Sequence, residues 1–140
     1  MSTIETEVNE KLEEVITSNE EVIISKEVDT FPEINNWEDL NIREELLRGI
    51  YSYGFETPSP IQKKAIPHLI NKRDIVVQAQ SGTGKTATFT IGALANIDLN
   101  DSSTQVLVLS PTKELTIQTA KVFDSIGNIL PGLRVKSMYG

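Results

Sequence analysis

Residues 78–86 read QAQSGTGKT and follow directly on the β-branched run Ile75-Val76-Val77. A buried strand, a glycine-rich turn and Gly84-Lys85-Thr86 opening a helix together describe a phosphate-binding loop. Few folds remain open to a chain that must deliver these three pieces in this order. Gly82 and Gly84 lack a Cβ, so the backbone can curl with its N–H groups turned inward. Such a nest, at the positive end of a helix, suits a triphosphate tail. Ala79, Gln80, Ser81, Gly82, Thr83 and Gly84 would line that tail. Lys85 would reach the outer phosphates and Thr86 would ligate Mg²⁺, so these two are the expected catalytic residues. The first position of the usual G-x-x-x-x-G-K-T pattern is Ala79 rather than glycine. Alanine there narrows the family without abolishing the loop. The alternative, a plain glycine turn before a helix, does not explain why strand, turn and helix occur in sequence.

The 140 residues suffice for one domain with a real core. The absence of cysteine excludes a disulfide frame and any Cys-based zinc or redox site. No apolar stretch approaches membrane-spanning length. The acidic start MSTIETEVNEKLEEV has no apolar segment of the secretory type and too many carboxylates for a transit peptide. A soluble, cytoplasmic protein with no membrane partner is the expectation. The net charge of −7 is a property of one end: residues 1–35 hold ten Asp/Glu against two Lys. The remainder holds ten against eleven Lys/Arg and can accept an anionic partner locally.

Two regions follow. Residues 1–35 form an acidic arm, expected to be solvated and disordered. Ile4, Val8, Leu12 and Val15 share one helical stripe, so a short amphipathic helix is the alternative. Residues 36–140 are globular. Leu40, Ile42, Leu46, Leu47 and Ile50 predict a helix over about 38–52, closed by Gly54. Ser59-Pro60-Ile61-Gln62 opens a second helix to about 70, with Ser59 as N-cap, Pro60 at the first helical position and Gln62 at the third. Strands are expected at 74–79, 105–110 and 133–139, and helices at 85–96 and 112–129. Strands alternating with helices mean an α/β fold with a parallel sheet. His68 reads as a partly exposed helix residue, and Tyr51 and Tyr53 as packing residues.

Gly54-Phe55-Glu56-Thr57-Pro58-Ser59-Pro60-Ile61-Gln62 resembles the Q motif of the DEAD-box RNA helicases, with Trp37 as its detached upstream aromatic. A glutamine amide donates and accepts at once, so Gln62 can pair with adenine, and Phe55 can lie against the purine face. Taken singly, Gln62 is equally half of a capping box with Ser59, and Phe55 and Trp37 are ordinary core residues. Their place about twenty residues before a phosphate loop favours ATP. Ser110-Pro111-Thr112-Lys113-Glu114-Leu115 is similar to the family's PTREL segment, with Lys113 where arginine is usual. The resemblance implies that Pro111, Thr112, Lys113 and, in the next such segment, Gly140 grip an RNA backbone without reading bases. The bland alternative for Lys113 is a solvated lysine at a helix start.

The resemblance covers 37–140. It implies an incomplete RecA-like parallel sheet with flanking helices, ATP and Mg²⁺ as cofactors, and partners in translation initiation or RNA processing. No D-E-A-D occurs in these residues, nor the later Ser-Ala-Thr motif, nor a second RecA-like domain. The 140-residue chain is therefore expected to be inactive by itself and marginally folded. Besides an ATP-dependent RNA helicase, two readings compete: a non-catalytic helicase remnant that binds nucleotide, RNA or a partner, and another P-loop NTPase such as a small kinase. A kinase needs neither the glutamine motif nor Pro-Thr-Lys-Glu-Leu after the second strand.

Overall fold

The computed structural model describes residues 31–140, together with the backbone of two short strands in the first thirty residues. These are β1 (Glu13–Ile16) and β2 (Val22–Ser25). A single 3-10 turn (Trp37–Leu40) and helix α1 (Glu44–Ser52) come next. Helix α2 (Pro60–Ile70) leads into strand β3 (Ile75–Gln78), and helices α3 (Lys85–Asn96) and α4 (Lys113–Gly127) complete the order.

The helix expected over 38–52 is split. The Asp39 carboxylate accepts the N–H groups of Asn35 and Asn36 at 2.8 and 2.9 Å, which also holds its pKa below the usual range. That completes a capping box at the start of the 3-10 turn. Asn41 then adopts a left-handed conformation (φ 50°), and α1 starts afresh. The second helix has Ser59, Pro60 and Gln62 in their expected roles. It also contains Pro67, which has no N–H to give to Lys63. The Lys63 carbonyl accepts the Ile34 N–H instead, at 3.3 Å. A local defect thus ties down the chain that enters the domain.

The four helices share one core. Trp37, Leu46, Ile50, Ile66, Ile91, Leu94, Phe123 and Ile126 are buried together. Close approaches need small residues. A Cβ on Gly49 of α1 would meet the Ile126 carbonyl oxygen of α4 at 1.9 Å. A smaller cluster, Ile61 and Ala65 of α2 against Ile75, Val77 and Ala79, lays α2 along β3. No helix of the described residues is long and apolar enough to cross a membrane.

The sheet departs from expectation in three ways. First, the described strands pair antiparallel in the order β1-β2-β3, with Ile23 opposite Val77 and Ile24 opposite Val76, and no parallel pair is present among the described residues. Second, residues 105–110 and 133–139 are not strands. β-propensity makes a strand only where a neighbouring backbone completes the ladder, and none is paired with these segments. Third, β3 alternates rather than being buried throughout: Ile75 and Val77 face α2, while Val76 is 55% exposed. Leu107 and Leu109 are 81% and 85% exposed. Val15 of the expected helical stripe lies in β1, and the rest of that stripe, with most of the acidic arm, lies outside the described residues.

His68 is buried rather than partly exposed. Its ring meets Phe31 edge-on at 5.2 Å, and the Arg73 guanidinium lies 5.9 Å from the same Phe31 ring. Burial first, and then the charge on Arg73, push the imidazole below its ordinary range.

Two outcomes are expected. Gly49→Ala drives a methyl into α4 backbone and should lower the unfolding free energy by about 1–3 kcal/mol in urea titrations. Because folded His68 resists the proton that unfolded histidine takes near pH 6.5, stability should be whole above that pH and fall below it. Urea midpoints compared at about pH 7 and about pH 5 should drop for the native chain and drop less for His68→Gln.

Candidate functional site

The phosphate loop connects β3 to α3, and its two glycines are needed for different reasons. Gly82 has φ 83° with open space around it, so only its backbone conformation demands glycine. Gly84 has φ 94°, and a Cβ there would meet Gln62 Nε2 at 2.6 Å. Lys85 folds back across the loop. Its Nζ donates to the Ala79 carbonyl and, at 2.9 Å, to the Gln80 carbonyl. Thr83 Oγ1 also donates to Gln80 O at 2.8 Å, and Thr88 Oγ1 donates to Gly84 O at 2.9 Å. The loop is therefore laced by its own side chains, with the Lys85 ammonium spanning the turn. Ser81 and Gly82 are exposed, and Thr86 is half-buried in the first turn of α3.

The N-terminus of α2 abuts this loop. Gln62 is 2% exposed. Its Oε1 accepts the Ser59 N–H at 2.8 Å, closing the capping box, and its Nε2 makes a long 3.5 Å contact with Gly84 O. Ser59 Oγ donates to Thr83 O at 2.9 Å. Sequence alone reads Ser59 as a helix cap, since nothing local signals a bond to a residue so far along the chain. The glutamine motif and the phosphate loop are thus one hydrogen-bonded unit.

The aromatic residues divide by depth. Trp37 has no exposed surface, and its Nε1 donates to the Phe55 carbonyl at 3.1 Å. It supports Phe55 from within the core. Phe55 is half-buried, with the Tyr53 ring 4.9 Å away. Tyr53 and Tyr51 are 39% and 42% exposed, Tyr53 packing its ring on Phe55, and the Tyr51 hydroxyl donates to Glu38 Oε1 at 2.6 Å.

Pro111, Thr112 and Lys113 are exposed at the start of α4. Thr112 is the N-cap, its Oγ1 accepting the Leu115 N–H at 3.2 Å. The Lys113 ammonium lies 4.8 Å from the Tyr139 ring centroid, so the segment ending at Gly140 returns beside the 111–113 turn. A groove of about 640 Å³ joins this region to the phosphate loop, lined by Thr86, Phe89, Ala93, Leu107, Leu109 and Pro111 among others. Among the described residues no group of three or more His, Cys, Asp or Glu is placed to hold a metal ion. The hydroxyl of Thr86 beside Lys85 suits a metal that arrives with phosphate oxygens already attached.

Residues 59–140 match the DEAD/DEAH box helicase family. The chain is 49% identical over 113 residues to the ATP-dependent RNA helicase fal1 of Schizosaccharomyces pombe, covering 81% of this chain and 28% of that protein. It is 56% identical over 102 residues to eukaryotic initiation factor 4A of Dictyostelium discoideum, covering 73% and 24% respectively. Among solved structures it is similar to S. cerevisiae Dbp5 bound to RNA and ADP BeF3, with 36% identity and a TM-score of 0.62 over 69% of this chain and 25% of that one. The chain spans about a quarter of the length of the curated relatives it matches. Such neighbours have the RecA-like helicase fold, in agreement with the α/β class expected from the sequence.

The contact between Gly84 and Gln62 separates two glycines that look alike in sequence. Gly82→Ala should destabilise the chain by about 1–2 kcal/mol, the strain of a left-handed alanine. Gly84→Ala adds the clash with Gln62 and should lose more, measured as the difference between the two urea midpoints.

Proposed function

The chain belongs to the DEAD/DEAH box helicase family, and on that premise we propose that it forms the ATP- and RNA-backbone-binding segment of an ATP-dependent RNA helicase. One observation carries the reading. The glutamine motif touches the phosphate loop directly, through Ser59 to Thr83 and Gln62 to Gly84. A site that recognises adenine and triphosphate together needs that adjacency, and another P-loop NTPase does not.

Each residue then has a role in binding. Lys85 exchanges its carbonyl partners at Ala79 and Gln80 for phosphate oxygens, which are stronger, charged acceptors. The backbone of 80–84 surrounds the phosphates, and Thr86 contributes its hydroxyl to Mg²⁺ carried by the nucleotide. Gln62 keeps a second lone pair on Oε1 and a second N–H on Nε2, enough to pair with adenine. Its long bond to Gly84 is the one that yields, letting the side chain turn outward. Phe55, propped by Trp37 and flanked by Tyr53, offers a ring to the purine face. Pro111, Thr112, Lys113 and Gly140 meet the RNA backbone, where helix-start N–H groups and a lysine recognise phosphate without reading sequence. ATP supplies the phosphoryl-transfer free energy when bound. The part proposed for these residues is to bind nucleotide and RNA backbone and to place the phosphates for transfer. A cytoplasmic place and partners in translation initiation or RNA processing fit this reading, supported by the similarity to initiation factor 4A.

Fluorescent-nucleotide titration of the 140-residue chain tests it. Lys85→Ala should weaken ATP binding by roughly 10- to 100-fold, the loss of a charge-assisted bond. Gln62→Ala should weaken ATP by about five- to tenfold and GTP by less. Equal losses for both nucleotides would leave Gln62 only its capping role.

A further inference from the structure

Lys113 and Tyr139 come from distant parts of the chain, yet the lysine ammonium sits 4.8 Å from the tyrosine ring centroid, within cation–π range. Lys113 opens α4, and Tyr139 lies in the extended segment that follows Gly132. Both side chains are exposed, with Tyr139 at 51%, so core packing does not force them together. A lysine at this position poses a specific physical problem. An arginine would present a planar fork already shaped for a phosphate, whereas an ammonium on a four-carbon stem roams. Whatever restrains that stem before RNA arrives removes an ordering step from binding.

We propose that Tyr139 is a positioning residue for the RNA backbone: its ring holds the Lys113 ammonium beside the start of α4, so that a phosphate meets a charge already in place. This rests on the reading of 111–113 as a backbone contact and adds a residue to it. The contact is compatible with binding. An ammonium has three donors, and an aromatic face engages only one side of it, leaving N–H groups free to turn to phosphate oxygens. Thr112 lies alongside. Its Oγ1 accepts from the Leu115 N–H, which leaves the hydroxyl proton available to the same phosphate. The same ring contact holds the end of the 133–140 segment beside the start of α4. The phenol hydroxyl has no part in this; the face of the ring does.

The test uses the whole chain and a labelled single-stranded oligouridylate, followed by fluorescence anisotropy at low salt. Tyr139→Ala should weaken RNA binding roughly two- to fivefold, the range of an exposed cation–π contact, and Tyr139→Phe should bind as the native chain does. Lys113→Ala should weaken binding at least as much as Tyr139→Ala. The double variant should be no weaker than Lys113→Ala alone, because the tyrosine acts only through the lysine. Proton–carbon NMR of the Lys113 side chain without RNA reads the contact itself. Ring-current shifts should be present in the native chain and Tyr139→Phe and absent in Tyr139→Ala. If the shifts behave so while Tyr139→Ala binds RNA as well as, or better than, the native chain, the positioning role is overturned and the backbone reading of 111–113 stands. If the two single losses add in the double variant, Tyr139 acts independently and the proposal fails. If Lys113→Ala loses nothing, the backbone reading fails and takes the proposal with it.

Discussion

The seam between the start of α2 and the phosphate loop is what the rest of this molecule is arranged around. At one point Gly84 and the Gln62 amide are so close that no Cβ fits between them. Beside it, Ser59 Oγ reaches the Thr83 carbonyl. A glycine-rich loop has little internal reason to keep one shape, because its residues lose the most backbone freedom on ordering. Here the shape is imposed from outside, by a helix N-terminus whose own capping box is complete. The loop's other restraints, Lys85 across the turn and Thr88 onto Gly84, are internal to the loop and α3.

The helical core serves this seam. Trp37 is wholly buried and holds the Phe55 carbonyl, so the aromatic that precedes α2 is placed from the inside of the domain. Pro67 frees the Lys63 carbonyl for Ile34, which fixes the entering chain against the same helix. Ile61 and Ala65 seat α2 on Ile75 and Val77.

The sheet is the thinnest part of the structure. Val76 faces away from α2, and Leu107 and Leu109 are mostly exposed. Apolar side chains in that state contribute little burial, and extended backbone without a ladder partner must be satisfied by water. β3 gains one antiparallel neighbour from β2. The groove between Thr86 of α3 and Pro111 is bordered by the exposed 106–109 run, so the start of α3 and the 111–113 turn face each other across apolar surface.

Local chemistry already determined much of this protein. The β-branched run, Gly82, Gly84, Lys85 and Thr86 specify strand, turn and helix start within twelve consecutive residues, 75–86, and Ser59-Pro60 with Gln62 specify the start of α2. Those signals depend on dihedral preferences and on bonds three or four residues long, which any short stretch carries with it. Tertiary structure decided what depends on distant partners. It buried Trp37 and His68, exposed Tyr51 and Tyr53, and set Lys113 against Tyr139. It also withheld strand structure from 105–110 and 133–139 despite their β-branched and apolar residues, because a strand is a pairing between backbones and not a property of one segment.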